Sequence, residues 1–179
     1  MRLWLTHDQV RQLVDLANIT SPREACGLLV GDAERVTRII ALPNTASDSQ
    51  HNYHIDDQAL TKTLFQLQRE GLRLHAFFHS HPRSRPIPSD TDKQQATYAD
   101  VPYLIVGLHP APQISAWLLT RAEATPVEIH IGDNRPPALP APMSPAQKRA
   151  IIAAALIAFL VVIALSLSLL PPAPVIVTP

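Results

Sequence analysis

The sequence predicts a mixed α/β domain followed by one C-terminal transmembrane helix. Amphipathic helical stretches are interspersed with about six short apolar strands within residues 1–134, which is typical of a sheet flanked by helices. All 15 basic and 15 acidic residues lie before residue 150. The 21 residues from Ala150 to Leu170 contain no charge, proline or glycine, so the chain divides into a soluble part and an apolar part.

The N-terminal elements are predicted from local signals. Thr6 with Gln9 three residues later forms a capping-box pattern before an apolar periodicity of helical spacing, and Ser21-Pro22 ends that helix. The apolar run Ala25–Val30 is typical of a buried strand, and Arg35–Leu42 is its expected hairpin partner.

The rest of the domain alternates in the same way. Tyr53–Ile55 is a candidate short strand, and Asp56–Arg69 is a second amphipathic helix that Gly71 ends. Leu72–His79 is predicted as a strand and Ser89–Tyr98 as a helix. Three further strands complete the predicted sheet: Tyr103–Leu108, Ile114–Leu119 and Val127–Ile131.

The apolar segment at residues 150–170 has the length of a membrane span. As a helix it extends about 31 Å, against about 30 Å for a hydrocarbon core. The alternative is a buried core helix, but six fully apolar turns are hard to cover in so small a domain. Lys148 and Arg149 precede the span and the tail 171–179 is uncharged. The positive-inside rule therefore predicts a cytoplasmic domain and a tail across the membrane.

A proline-rich stretch separates the two parts. Five prolines lie in residues 135–145, which favours an extended spacer over a proline-recognition ligand because no clean PxxP repeat is present. The predicted boundaries are a domain at 1–134, a linker at 135–149, a transmembrane helix at 150–170 and a short tail at 171–179.

Composition excludes several classes of function. A net charge of zero and a pI near 7.1 argue against a dedicated nucleic-acid binder. The five glycines form neither a dinucleotide-binding nor a phosphate-loop pattern. Cys26 is the single cysteine, which excludes an intramolecular disulfide and a cysteine-only zinc site. Cys26 is expected to be a small buried apolar residue.

The segment from His79 to Asp92 carries the candidate chemistry. His79 and His81 are one residue apart at a strand end, so their imidazoles project from the same face. Asp92 in the first turn of the next helix adds an oxygen ligand. Two histidines and one carboxylate leave a fourth position for water, which is typical of a catalytic zinc. Taken singly, a His-x-His pair is equally a surface or core feature, and Ser89 with Asp92 is equally a capping box.

The spacing His79-x-His81, seven residues, Ser89, two residues, Asp92 resembles the JAMM motif of the JAB1/MPN metallopeptidases without a gap. The segment from Glu24 to Gly31 resembles the opening motif of the small prokaryotic members. The segments 43–45 and 53–56 look like their middle section. The resemblance covers residues 3–131 and implies a JAB1/MPN-type, cytidine-deaminase-like sheet flanked by helices.

The resemblance implies zinc-dependent hydrolysis of peptide or isopeptide bonds, with one Zn²⁺ per chain. His79, His81 and Asp92 would be the zinc ligands. Glu24 would be the general base, and Ser89 would hydrogen-bond the developing oxyanion or steady the water. Without the resemblance, Glu24 is simply an exposed charge at a strand start.

By the same resemblance, the substrates would end in the Gly-Gly tail of a ubiquitin-like or sulfur-carrier protein. Two alternatives remain: a non-catalytic MPN scaffold, and a zinc hydrolase of a small-molecule amide. Arg83 and Arg85 border the predicted site. They are either solvated loop charges or contacts for an acidic surface or a C-terminal carboxylate of the substrate.

Overall fold

The computed structural model describes residues 1–137 and 143–168. Its elements in chain order are β1 (Arg2–Leu5), α1 (His7–Thr20), β2 (Cys26–Gly31), β3 (Val36–Leu42), α2 (Asp57–Glu70), β4 (Arg73–His81), α3 (Asp90–Gln95), β5 (Tyr103–Gly107), β6 (Gln113–Leu119), β7 (Ala124–Ile131) and α4 (Pro145–Ser168).

A seven-stranded mixed sheet organises the first compact unit, Met1–Pro136. Its strand order is β1-β7-β6-β5-β4-β2-β3. The pairs β1–β7 and β4–β5 are parallel, and every other neighbouring pair is antiparallel. Strand β4 is therefore an interior strand, with β2 antiparallel on one side and β5 parallel on the other.

The two long helices cover opposite faces of this sheet, each over its own apolar core. Leu13 and Ala17 of α1 are buried with Leu29, Phe78 and residues of β1 and β5. On the other face, Leu67 of α2 is buried in a second cluster with apolar side chains of β2, β4 and β5. The alternation of side chains along each strand produces these two faces, and the predicted mixed α/β class is confirmed.

Local capping signals fix where the helices begin and end. Thr6 Oγ1 accepts a hydrogen bond from the Gln9 backbone N–H at 3.1 Å, and the Gln9 side chain accepts one from the Thr6 N–H at 2.9 Å. The predicted capping box is thus confirmed. Gly71 ends α2 with φ 69°, a left-handed conformation that favours glycine.

The structure differs from the sequence prediction at three elements. The helix predicted to reach Tyr98 ends at Gln95, because the backbone N–H groups of Thr97 and Tyr98 both donate to the Tyr103 hydroxyl at 3.1 Å. The candidate strand Tyr53–Ile55 forms only an isolated bridge to Asn44. The short strand β1 was not predicted, and it pairs with β7 at the far end of the domain.

The second compact unit, Pro137–Pro179, contains α4. This helix begins at Pro145, five residues before the predicted span, so the last part of the predicted linker is helical. The helix has 24 residues, and its most apolar window has a mean hydropathy of 3.0, so its length and composition suit a membrane span. None of that window is buried. The predicted span extends to Leu170 and the linker includes 138–142; these parts lie outside the described residues, as does the tail 171–179.

Candidate metal centre

Strand β4 carries both histidines to one point at its end. His79 and His81 are fully and nine-tenths buried, and their Nε2 atoms lie 3.1 Å apart. The capping box of α3 brings Asp92 to the same point: Asp92 Oδ1 is 3.2 Å from His79 Nε2, and Oδ2 is 3.4 Å from His81 Nε2. The structure therefore brings together the three residues that the sequence predicts as metal ligands.

The donor set fits a divalent metal ion. Two imidazole nitrogens and a carboxylate, with all ligand atoms within 4.8 Å of one another, are the ligand types and the number that a catalytic zinc uses. His81 Nδ1 donates to the Arg85 carbonyl at 3.2 Å, which leaves Nε2 with its lone pair facing the cluster. The other ring nitrogen of His79, Nδ1, has no hydrogen-bond partner among the described residues, so this buried nitrogen is left unsatisfied.

Without a cation, the three groups perturb one another strongly. Burial lowers the pKa of His79 despite the neighbouring Asp92. Burial opposes the charged form of His81, but its hydrogen bond to Asp92 and the charge of that carboxylate prevail and raise the His81 pKa. Burial also opposes ionisation of Asp92, yet the two imidazoles hold its pKa well below the usual range. The cluster thus retains an anionic carboxylate in a buried site.

Glu24 reaches the same cleft from the segment that leads into the neighbouring strand β2. Ser80 N donates to Ala25 O at 2.9 Å, and Ala25 N donates to the Ser80 hydroxyl at 2.8 Å. Continuing the antiparallel register of Cys26 with His79 places Glu24 opposite His81. Glu24 is only 4% exposed, and its Oε2 has no hydrogen-bond partner among the described residues. Burial raises the pKa of Glu24 from 4.5 to about 8. The alternative that Glu24 is an exposed charge at a strand start is therefore wrong.

Ser89 lies at the N-cap of α3. Its hydroxyl donates to Asp92 Oδ2 at 2.7 Å, and its backbone N–H donates to the same oxygen at 2.6 Å. The capping box predicted for these two residues is confirmed. In this arrangement Ser89 orients the carboxylate of Asp92, while its predicted role at an oxyanion stays a prediction.

Two residues that support the site were not predicted to do so. The Asn44 side chain donates to the carbonyls of Glu24 and Asn52 at 2.9 and 3.1 Å, which fixes the loop beside the cleft. Tyr53 stacks on the His79 ring with centroids 4.2 Å apart. Both lie in segments whose family resemblance was noted without a role, and only the tertiary contacts reveal one. Cys26 is buried as predicted.

The loop that contains Arg85 and Pro86 packs closely against Gly107. Gly107 lies opposite His81 in the β4–β5 pair. A Cβ atom at Gly107 would stand 2.5 Å from Pro86 N and 2.7 Å from the Arg85 carbonyl carbon. Trp117 also donates from Nε1 to Pro86 O at 3.2 Å. The hydrogen bond between Arg85 and His81 thus depends on a bare backbone at position 107.

Comparison with known proteins identifies the relatives of this fold. The family model described as prokaryotic homologs of the JAB domain matches residues 6–120. A probable TtuB-protein conjugate cleaving protease of Thermus thermophilus is 44% identical over 87 residues, covering 49% of this chain and 57% of that protein. A desampylase of Haloferax volcanii is 36% identical over 86 residues, covering 47% of this chain and 62% of that protein. The matched segment therefore spans about three fifths of each relative's length.

Solved structures share the same architecture. A protein from Desulfitobacterium hafniense superimposes with a TM-score of 0.67 at 28% identity, covering 75% of this chain and 94% of that one. A JAB1/MPN domain protein from Archaeoglobus fulgidus superimposes with a TM-score of 0.52 at 17% identity, covering 73% and 100% of the two chains. The second likeness concerns the fold alone, and it confirms the predicted JAB1/MPN-type sheet.

The raised pKa of Glu24 predicts a pH dependence of folding in the metal-free protein. The folded state retains a proton on Glu24 between pH 4.5 and about 8 that the unfolded state has lost, so stability falls as the pH rises through this range. Glu24→Gln removes this loss. Its gain in the free energy of unfolding over the wild type should therefore grow from about pH 5 to about pH 9.

Urea unfolding of the full chain in detergent and chelator measures this gain. Glu123→Gln, a change at an exposed carboxyl in the turn before β7, is the matched control and should give a difference independent of pH. A gain from Glu24→Gln that is equally independent of pH would contradict the buried, proton-retaining Glu24.

The seating of the loop on Gly107 predicts an effect on metal binding. Gly107→Ala should displace Arg85 and weaken zinc binding by about 10-fold or more, because the carbonyl that orients His81 moves. Competition titration with a zinc chelator measures the affinity. Gly71→Ala strains a turn in which a Cβ would meet no atom within 4 Å, so it should leave the zinc affinity intact. Equal affinities for all three proteins would refute the orienting role of the loop.

Proposed function

This chain belongs to the family of prokaryotic homologs of the JAB domain, and from this premise we propose that it is a zinc-dependent peptidase. Its proposed targets are peptide or isopeptide bonds at the Gly-Gly tail of ubiquitin-like or sulfur-carrier proteins. One observation carries the proposal: a buried His79–His81–Asp92 cluster shares its cleft with a buried Glu24, whose Oε2 has no hydrogen-bond partner among the described residues. The relative named for cleaving TtuB conjugates supports the substrate class.

The residues of the metal centre have different proposed roles. His79, His81 and Asp92 would hold the zinc, which when bound polarises a carbonyl and lowers the pKa of water. The hydrogen bond from His81 to Arg85 and the stacking of Tyr53 on His79 fix the two imidazoles, so the ligand geometry is preorganised. Ser89 holds Asp92 in place with two hydrogen bonds.

Glu24 is the proposed general base that transfers a proton from the attacking water to the leaving amine. A general base takes a proton from the attacking water and delivers it to the leaving amine, which requires a pKa near the working pH. Burial raises the pKa of Glu24 to about 8, and a neighbouring cation would lower it toward neutrality. The unpaired Oε2 is free to accept the proton. Both features suit a group that gains and loses a proton in each cycle.

A fusion protein in which a Gly-Gly tail is joined to a reporter tests the proposal. The full chain should release the reporter, a chelator should abolish release, and added zinc should restore it. Glu24→Gln should lower the rate by about 10³-fold while zinc stays bound, because only the proton transfer is lost. Gel-based cleavage rates and zinc content per chain are the two measurements.

The matched control is Glu123→Gln, which should cleave at the wild-type rate. Cleavage that is insensitive to both the chelator and Glu24→Gln would contradict the proposal. A protein with bound zinc but no cleavage would favour the small-molecule amide hydrolase, and a protein that binds no zinc would favour the scaffold.

We further propose that α4 anchors the domain to a membrane from the cytoplasmic side. The support is its apolar length and the pair Lys148 and Arg149 at its N-terminal end. In this proposal the proline-rich segment links the domain to the membrane-spanning helix.

Fractionation and protease accessibility test the anchoring. The full chain should stay in the membrane pellet after an alkaline wash, whereas a chain ending at residue 144 should not. Protease added to intact spheroplasts should spare the domain, and protease added to inverted vesicles should digest it. A domain digested from the outside would refute the cytoplasmic orientation.

A further inference from the structure

A small pocket opens beside the candidate metal centre. Its volume is about 140 Å³, and its lining includes Glu24, His81 and Ser89 together with Gln50, His51 and Arg83. This open pocket can therefore receive a small group of a substrate beside the candidate metal ligands.

Arg83 is the one residue of this lining whose side chain is permanently positively charged. Its guanidinium donates to Gln50 Oε1 at 3.0 Å and to His51 Nε2 at 3.4 Å. Asp48 accepts from the opposite nitrogen of His51 at 3.0 Å, which leaves Nε2 as an acceptor for Arg83. The side chain of Arg83 is thus held over the pocket by neighbours that are themselves oriented.

Arg83 has no direct ion pair among the described residues. Within residues 1–137 and 143–168, no carboxylate contacts Arg83, whereas Arg2, Arg38 and Arg135 each pair with a glutamate. Arg85, the other arginine of this loop, does not line the pocket. A guanidinium whose direct contacts are Gln50 and His51 retains donors for a planar anion, and a carboxylate matches its geometry.

We propose that Arg83 forms a subsite for a carboxylate on the leaving group of the substrate. This inference rests on the proposed function. Hydrolysis breaks the bond between the terminal glycine carbonyl carbon and the leaving nitrogen. The water oxygen stays on the glycine, and Glu24 passes the proton to the nitrogen.

Glu24 and Arg83 line one pocket, so the group that receives the proton lies beside the guanidinium. The Gly-Gly side of the bond carries no charge, and the anion must come from the leaving side. An α-amino acid places its carboxylate two bonds from the leaving nitrogen, whereas a lysine side chain of a protein presents none there. The pocket therefore favours a terminal amino acid over an isopeptide-linked lysine.

Three substrates with one carrier tail test the subsite: Gly-Gly-Ala with a free carboxylate, Gly-Gly-Ala amide and Gly-Gly-Glu α-amide. The full chain should cleave the free acid with a kcat/KM about ten- to hundredfold above that of the alanine amide, chiefly through KM. In Arg83→Gln the ratio should fall to about one. Arg121→Gln, at an exposed turn position, should keep the wild-type ratio.

The glutamate amide separates the two sources of a carboxylate. A rate near that of the alanine amide assigns the subsite to the terminal carboxylate, and a rate near that of the free acid assigns it to an acidic side chain; both support a carboxylate subsite. A wild-type ratio of one, or a ratio that Arg83→Gln leaves unchanged, would overturn it.

Binding of the leaving group alone separates this inference from the proposed function. L-alanine should bind the zinc-loaded full chain more tightly than L-alaninamide in ligand-observed magnetic resonance, and Arg83→Gln should remove the difference. If no substrate is cleaved but this difference is found, the peptidase proposal fails and the subsite stands. If neither cleavage nor an Arg83-dependent difference is found, the subsite is refuted.

Discussion

The antiparallel register of β2 against β4 is the constraint from which the site follows. Cys26 pairs with His79, and the continued register brings Glu24 beside His81. On the other side of β4, the parallel pairing with β5 sets Gly107 beside His81 and seats the loop that orients its imidazole. A slip of one residue in either pairing would turn these side chains to the opposite face of the sheet. The backbone pairing thus positions the two histidines, the candidate base and the orienting carbonyl together, while the capping box of α3 adds Asp92.

This arrangement concentrates groups that are unfavourable to bury. Glu24, His79, His81 and Asp92 are all less than a tenth exposed, and two of their polar atoms lack hydrogen-bond partners among the described residues. Burying a charge is costly unless a counter-charge accompanies it, and a bound divalent cation would supply one. Metal binding and folding stability should therefore be coupled in this domain. The same burial gives Glu24 a pKa suited to proton transfer, so the cost and the candidate function share one physical origin.

Local signals allowed much of the fold to be predicted, and long-range contacts account for most of the rest. The capping box of α1 and the end of α2 at Gly71 depend on neighbours in sequence, and both are confirmed. Strand β1 was missed because its four residues gain their pairing from β7 across the whole domain. The early end of α3 depends on the Tyr103 hydroxyl, and the position of Glu24 depends on the loop held by Asn44. The JAMM spacing predicted which residues meet, but not the pocket that Arg83 borders.

The identity and ligands of the bound metal are the most direct test of the account. X-ray absorption at the zinc edge of the full chain, purified without added metal, should show one zinc per chain with two imidazole nitrogens and oxygen ligands. His79→Ala should remove that signature, whereas His109→Ala, a change at a surface histidine of the β5–β6 turn, should preserve it. A sulfur ligand, which Cys26 alone could supply, or no zinc at all would contradict the assignment of His79, His81 and Asp92.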